Sequence, residues 1–296
     1  MTPPISVVIP VCNGAQTLSD CLHALTTQSL ARSDYEIIVV DDGSRDATAA
    51  IARGFAVTVC LQANRGAPAA RNTGWQAARG EWIAFTDADC IPSRAWLRLL
   101  LDAVRPIEGV PPALGAAGAV LGHQSTTPAA RFVDLSAGLD TERHLQHPRF
   151  PFAPSGNVLY RRAALGAVGG FDPRYTAYDA CDLHTRLCRD QPGAFHYVPH
   201  AVVLHRHRTT WSAYWHQQLS YGKGYGQFLW HWRAQAPWSL RHEVHAWAEI
   251  LRLGLAACRG GDDDHALVRR GRFVKTLAQR LGFVRTYWNP AERARW

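Results

Sequence analysis

The residues in this chain best suited to chemistry are two carboxylate clusters, each closing an apolar run. Tyr35-Glu-Ile-Ile-Val-Val40 ends in Asp41-Asp42-Gly43-Ser44, and Glu81-Trp-Ile-Ala-Phe-Thr86 ends in Asp87-Ala88-Asp89. Taken alone, Asp41-Asp42 also reads as an acidic turn and helix cap. Carboxylates at i and i+2 crowd like charges together, and a cation relieves them. Hard oxygen donors select Mg²⁺ or Mn²⁺, and such a cation typically bridges substrate phosphates.

These clusters need a frame that carries both to one rim. Ile5-Ser-Val-Val-Ile9 and Tyr35–Val40 are short apolar runs, the mark of strands buried on both faces, and Ala56–Leu61 and Glu81–Thr86 read as a third and a fourth strand. Between them lie helical spacings over residues 15–27, 46–53 (Asp46 as cap) and 67–78, and a further helix follows over 93–104 with Ser93 as cap. Strand–helix alternation of this length predicts βαβ units and a mostly parallel sheet, with ligands beyond the C-terminal strand ends. Gly115–Gly122, Gly156–Arg162 and Phe195–His205 read as further strands, Asp179–Arg189 as a helix, and residues 123–155 as a proline-bearing, loop-rich excursion.

The 296 residues suffice for a large core, and 47% hydrophobic against 19% charged residues excludes a disordered tail or a coiled coil. Seven scattered cysteines without a CxxC pair argue for reduced, mostly buried thiols. No apolar run reaches the roughly 18–20 residues of a membrane-spanning helix. Residues 1–10 carry neither a basic n-region nor a cleavage site, so the expected location is cytoplasmic, with the inner membrane face as a peripheral alternative. Charge is divided unevenly: residues 1–204 hold 17 Arg against 18 Asp and Glu, whereas residues 205–296 hold 15 Lys and Arg against 6 acids.

The ordered set of motifs resembles the family 2 glycosyltransferases, inverting enzymes of the GT-A fold that use nucleotide sugars. The matching residues are Val7–Asn13, Val40–Thr48, Asn64-Arg65-Gly66 with Ala70–Gly74, Asp87-Ala88-Asp89, Gly156-Asn157 and Gly169-Gly170-Phe171-Asp172. The resemblance covers about residues 5–205 and implies a GT-A catalytic domain over 1–208, with a nucleotide-sugar half at about 1–110 and an acceptor half at about 111–208. By the same resemblance, Pro10, Asn13, Asp41, Asp42, Arg71, Asp87 and Ala88 line the nucleotide-sugar pocket, Asp42 accepting from an N–H of the base. Asp89 ligates Mn²⁺ or Mg²⁺, with His205 as a further ligand, a phosphate donor or a core residue. Gly156 and Asn157 lie on the acceptor side. The family usually has Glu-Asp-x-Asp-Leu after the Gly-Gly-Phe-Asp turn; this chain has Asp179-Ala180-Cys181-Asp182-Leu183. A base is needed to take the acceptor hydroxyl's proton. Asp179 is the first candidate and Asp182 the second, and loss of the base is the third reading.

Residues 209–296 are basic, rich in Trp and His, and predict a helical extension of two or three helices broken near Pro237 and Gly260-Gly261. Gln218 and Lys223 read either as acceptor-side contacts or as packing between helices. Ala266–Trp288 is a basic amphipathic helix that suits an anionic membrane surface or a packed helix with a solvated basic face. The expected function is transfer of a sugar from a nucleotide-diphosphate sugar, UDP-linked by family frequency, to a hydroxyl of a saccharide, lipid-linked or small-molecule acceptor. A sugar nucleotidyltransferase is the alternative, but its triphosphate loop needs charge where this chain has Cys12-Asn13-Gly14-Ala15. A catalytically impaired membrane- or nucleic-acid-binding protein is the third. No nucleic-acid motif accompanies the charge, so no nucleic-acid partner is expected.

Overall fold

A computed structural model describes residues 2–110, 112–136, 139–190 and 194–296. The chain opens with β1 (Ile5–Val11), α1 (Leu18–Thr26), β2 (Tyr35–Asp42), α2 (Thr48–Arg53), β3 (Thr58–Gln62), α3 (Ala67–Ala77) and β4 (Trp82–Phe85). Every residue of β1 and β4 is buried, as their unbroken apolar runs require. Alternation along β1 serves two cores: Ile5, Val7, Ile9 and Val11 face Leu18, Leu22 and Leu25 of α1, and Val8 faces Ala70 of α3. Each such side chain contributes about 1.5–3 kcal/mol when fully buried.

The chain continues with β5 (Cys90–Pro92), α4 (Trp96–Ala103), β6 (Gly115–Gly122), α5 (Pro128–Leu135), α6 (Thr141–Leu145), β7 (Val158–Arg161), α7 (Arg162–Ala167), α8 (Asp179–Asp190) and β8 (Phe195–His205). The eight strands form one sheet in the order β3-β2-β1-β4-β7-β6-β8-β5. Pairing among β3, β2, β1 and β4 is parallel, as the alternation predicts. Beyond β4 the β4–β7, β6–β7 and β5–β8 pairs are antiparallel, so the sheet is mixed. The stretch read as loop over 123–155 contains α5 and α6; residues 137–138 of it lie outside the described residues. Ser93 does not cap α4 with its side chain; its backbone oxygen receives Trp96 N instead.

The C-terminal region is helical: α9 (Trp211–His231), α10 (Leu240–Ala257), α11 (Asp264–Tyr287) and α12 (Pro290–Arg293). Contacts divide the chain into two compact units. The first holds Met1–Leu121, Leu139–Pro173 and Ala180–Arg206; the second holds Gly122–Gly138, Arg174–Asp179 and His207–Trp296. Within the second unit, Gly222 and Gly282 let α9 and α11 cross closely. A Cβ on Gly222 would stand 2.0 Å from the Gln279 carbonyl, and one on Gly282 2.2 Å from that of Leu219.

Candidate functional site

The loops at the C-terminal ends of β1 and β2 are stitched together. Asn13, at φ 56, takes Arg45 N on Oδ1 at 2.9 Å, and its own N–H reaches Ser44 Oγ at 2.8 Å. Gly14 N donates to Thr48 Oγ1 at 2.8 Å, and Ala15 N to Asp46 Oδ2 at 3.1 Å. Pro10 is buried in β1 opposite Val40.

The two carboxylates closing β2 are used differently. Asp42 takes Arg65 N at 2.8 Å and Gln62 Nε2 at 2.7 Å on Oδ1, and Gly66 N at 2.8 Å on Oδ2. Both of its oxygens therefore hold the 62–66 loop, which starts α3, rather than standing ready for a base as the sequence suggests. Asp41 takes only Ser44 N, at 2.8 Å on Oδ1, and its second oxygen has no hydrogen bond from the described residues.

Arg71, buried on α3, donates from Nη2 to Asp87 Oδ1 at 3.1 Å and lies 5.6 Å over the Phe171 ring. Gly156 leaves room beside that carboxylate: a Cβ there would come 3.1 Å from Asp87 Oδ2. Antiparallel pairing sets Cys90 opposite His205, which brings His205 Nε2 to 3.6 Å from Asp89 Oδ1. Asp89, Cys90 and His205 present ligand atoms within 4.8 Å of one another. Burial, reinforced by Asp87 and Asp89, pushes the Cys90 thiol well above its ordinary pKa, and its soft sulfur is a poor match for a hard ion. One carboxylate and one imidazole remain, a set that fits Mn²⁺ or Mg²⁺ with positions open for phosphate oxygens. Ala88 is buried between the two carboxylates. A cavity of about 430 Å³ lies elsewhere, beside Arg32, Tyr35, Glu36 and Arg79. Its charges are already engaged, Arg79 with Glu36 and Arg32 with the carbonyls of Tyr35 and Ala56.

Several expected site residues prove to be ties. Asn157, assigned to the acceptor side, is fully buried. It donates to the Ala119 and Ala201 carbonyls at 2.8 Å each and accepts Trp96 Nε1 at 2.7 Å. Asp182, the second candidate base, is fully buried against Arg186 at 2.8 Å, and that guanidinium grips the Val168 and Gly170 carbonyls. Asn72 completes this turn, taking Phe171 N at 2.9 Å and giving Nδ2 to its oxygen at 2.6 Å. Reading the sequence did not single out Arg186 or Asn72, although Asn72 stands beside Arg71 in a recognised motif. Gln218 is buried and receives Gln279 Nε2 at 2.8 Å, and Lys223 pairs with Glu292 at 3.6 Å, so both serve packing of the second unit. Asp179 is the first residue of α8, 8% exposed, and follows Tyr178 at φ 68.

The profile described as "Glycosyl transferase family 2" matches residues 6–169. Glycosyltransferase AglE of Haloferax volcanii is 43% identical over 101 residues, 32% of this chain and 33% of that protein. The pre-mycofactocin glycosyltransferase of Mycobacterium tuberculosis is 33% identical over 216 residues, 69% of this chain and 43% of that protein. The chain thus spans under half the length of these curated relatives. The mannosyltransferase PcManGT from Pyrobaculum calidifontis, solved in complex with GDP-Man and Mn²⁺, has a TM-score of 0.66 at 20% identity, covering 98% of this chain and 88% of its own. S. aureus TarS 1–349 in complex with UDP has a TM-score of 0.53 at 14% identity, covering 96% and 91%. At such identities the likeness concerns the fold, which is GT-A. With its profile spanning more than half of the residues over the frame that carries Asp41, Arg71, Asp87 and Asp89, the chain belongs to glycosyl transferase family 2.

Proposed function

We propose that this chain is an inverting glycosyltransferase that moves a sugar from a nucleotide-diphosphate sugar to a hydroxyl acceptor with the help of a divalent cation. The observation that carries the reading is the convergence at one sheet rim of the Arg71–Asp87 pair and the Asp89–His205 pair. Asp41 is the group for the base, because one of its oxygens is uncommitted. A carboxylate there accepts an N–H, which uracil and guanine both offer. A UDP-sugar is the first donor to test and a GDP-sugar the second. Pro10 and Asn13 shape the pocket wall, and Arg71 orients Asp87. Asp89 and His205 would hold the cation, whose chemistry when bound is neutralisation of the diphosphate leaving group.

Transfer by a single in-line displacement inverts the anomeric carbon and needs no enzymic nucleophile. It needs a base, and Asp179 takes that role. Support comes from its place at the start of α8 and from the left-handed backbone at Tyr178, a strain of the kind concentrated at functional sites. The ion pair of Asp182 with Arg186 favours Asp179 over it.

Thermal shift with UDP, GDP and dTDP, each with and without Mn²⁺, tests the donor site. A nucleotide at a hundred times its dissociation constant adds about 2.7 kcal/mol of stability. One diphosphate should raise Tm with metal present, and Asp89→Ala should abolish the effect. If none of the three shifts Tm with or without metal, the donor reading fails. Asp179→Asn should then lower kcat by about 10²–10⁴ with donor binding unchanged. An unchanged kcat removes Asp179 as the base.

A further inference from the structure

Helix α10 carries an apolar stripe that nothing among the described residues covers. Leu240, Val244, Trp247, Leu251 and Leu255 follow one another at three- and four-residue steps, so they share one face, and each is 40–73% exposed. The adjoining side makes the helix's own packing: Ile250 is its one buried residue, and Gly254 lies against Phe273 of α11. At the N-terminal end of the stripe, Trp247 and the exposed Trp288 both point an indole N–H at Glu243, at 3.0 and 3.4 Å. Beside the stripe, Arg241, His245, Arg252 and Arg259 form an exposed polar flank, with Arg252 also paired to Glu249. The helix belongs to the part of the chain with 15 basic against 6 acidic residues.

We propose that α10 docks on an anionic lipid surface, lying in its plane with the leucine stripe inserted and the arginines at the headgroup phosphates. A continuous apolar face with a tryptophan in it and arginine along one edge is the pattern of an interfacial helix. At about 1.5 Å per residue its 18 residues make a contact about 27 Å long. Contact is in-plane because no described helix is long and apolar enough to cross a membrane. Charge selects the occupant: an acidic headgroup complements the exposed Arg241 and Arg259 and the basic excess of residues 205–296, an excess that also opposes pairing with a second copy. The sequence pointed to 266–288 for this role, but that helix, α11, buries Ala266, Gly271, Ala278, Phe283 and Tyr287 within the second unit. The inference does not depend on the transferase reading.

The test is co-sedimentation of the full chain with vesicles of phosphatidylcholine alone or mixed equally with phosphatidylglycerol. The chain should bind the mixed vesicles, weaken as salt rises, and leave the neutral ones in solution. Leu251→Asp with Leu255→Asp should reduce binding by about tenfold or more. Arg241→Gln with Arg259→Gln should weaken binding to mixed vesicles only. All four positions are exposed, so circular dichroism and Tm should match the parent. Equal binding by the leucine variant, or no binding by the parent, overturns the proposal. So does a parent dimer in sedimentation equilibrium that the leucine variant dissolves, which would give the stripe to a second copy.

Discussion

Asp41 and Asp42 are adjacent and chemically identical, yet their partners predict opposite consequences of the same substitution. In Asp42→Asn the amide keeps one acceptor oxygen. Its best orientation leaves that oxygen to Arg65 N and Gln62 Nε2 and turns the NH₂ toward Gly66 N, which loses its acceptor. A buried donor left unpaired costs about 1–3 kcal/mol, and loss of the charge weakens the other two bonds, for a total of about 2–4 kcal/mol. For a unit of this size that is a fall in Tm of roughly 5–15 °C. In Asp41→Asn the oxygen facing Ser44 N is retained, so stability changes by under about 1 kcal/mol. The outward atom, however, turns from acceptor to donor. A charge-assisted bond of about 1.5–3 kcal/mol to the base is lost, or about 10–150-fold in nucleotide affinity. Differential scanning fluorimetry gives the Tm values, and titration calorimetry with the diphosphate found by the screen gives the affinities. The reasoning fails if Asp42→Asn leaves Tm unchanged and removes binding, with Asp41→Asn neutral in both.

Other expected outcomes follow from the same structure. Asn157→Ala strands Trp96 Nε1 and withdraws donors from the Ala119 and Ala201 carbonyls, and should cost about 3–5 kcal/mol in urea denaturation; a loss below about 1 kcal/mol would restore Asn157 as a surface contact. His184 is buried against Phe195, its Nδ1 without a hydrogen bond among the described residues, and burial lowers its pKa from 6.5 to about 4. The folded state therefore resists protonation that the unfolded chain accepts. Stability should be full above pH 6.5 and fall by up to about 3 kcal/mol as pH drops toward 4. His184→Leu should flatten that acid limb, and an unchanged limb would count against burial as its cause. Asp182→Ala leaves Arg186 as a nearly buried lone charge and should cost about 3–5 kcal/mol, read as a lower urea midpoint; a midpoint unchanged with kcat abolished would return Asp182 to the role of base.

The parallel half of the sheet was legible because strands buried on both faces must be largely apolar, and β1, β2 and β4 are, broken only by Ser6, Glu36 and the closing Asp41-Asp42. Strand β5 was not: three residues between the Asp87-Ala88-Asp89 cluster and a helix leave no room for a pattern. Helix α5 was hidden by its prolines, although Pro128 directly after Thr127 is a start signal, and the Thr127 hydroxyl does receive Ala130 N at 3.4 Å. In the site, residue identity was legible and occupancy was not. Asn157 looks like an acceptor contact until Trp96 is placed beside it, 61 residues away in sequence. Gln218 is settled by Gln279, also 61 residues away. Glycines 222, 224 and 226 lie in helix α9, and their missing Cβ atoms admit Gln279, Ala177 and Phe283.

The polar residues of the catalytic unit divide by how far the protein already engages them. Asp42 and Asn157 make three side-chain hydrogen bonds each, and Asp182 is held by Nε and Nη2 of Arg186, and these residues fix loops or strands; Asp41 makes one. The division has a physical basis. A carboxylate that must exchange a ligand in each turnover cannot also be the fastener of its own loop, because every departure would release the loop. Placing the fastener beside the working group, as Asp42 stands beside Asp41, keeps the pocket shaped while its occupant changes. Asp182, which with Arg186 grips the Gly169-Gly170 turn, is a fastener of the same kind as Asp42. On the proposed reading Asp179 is the base, so Ala180 does not leave the head of this helix without a carboxylate for the role.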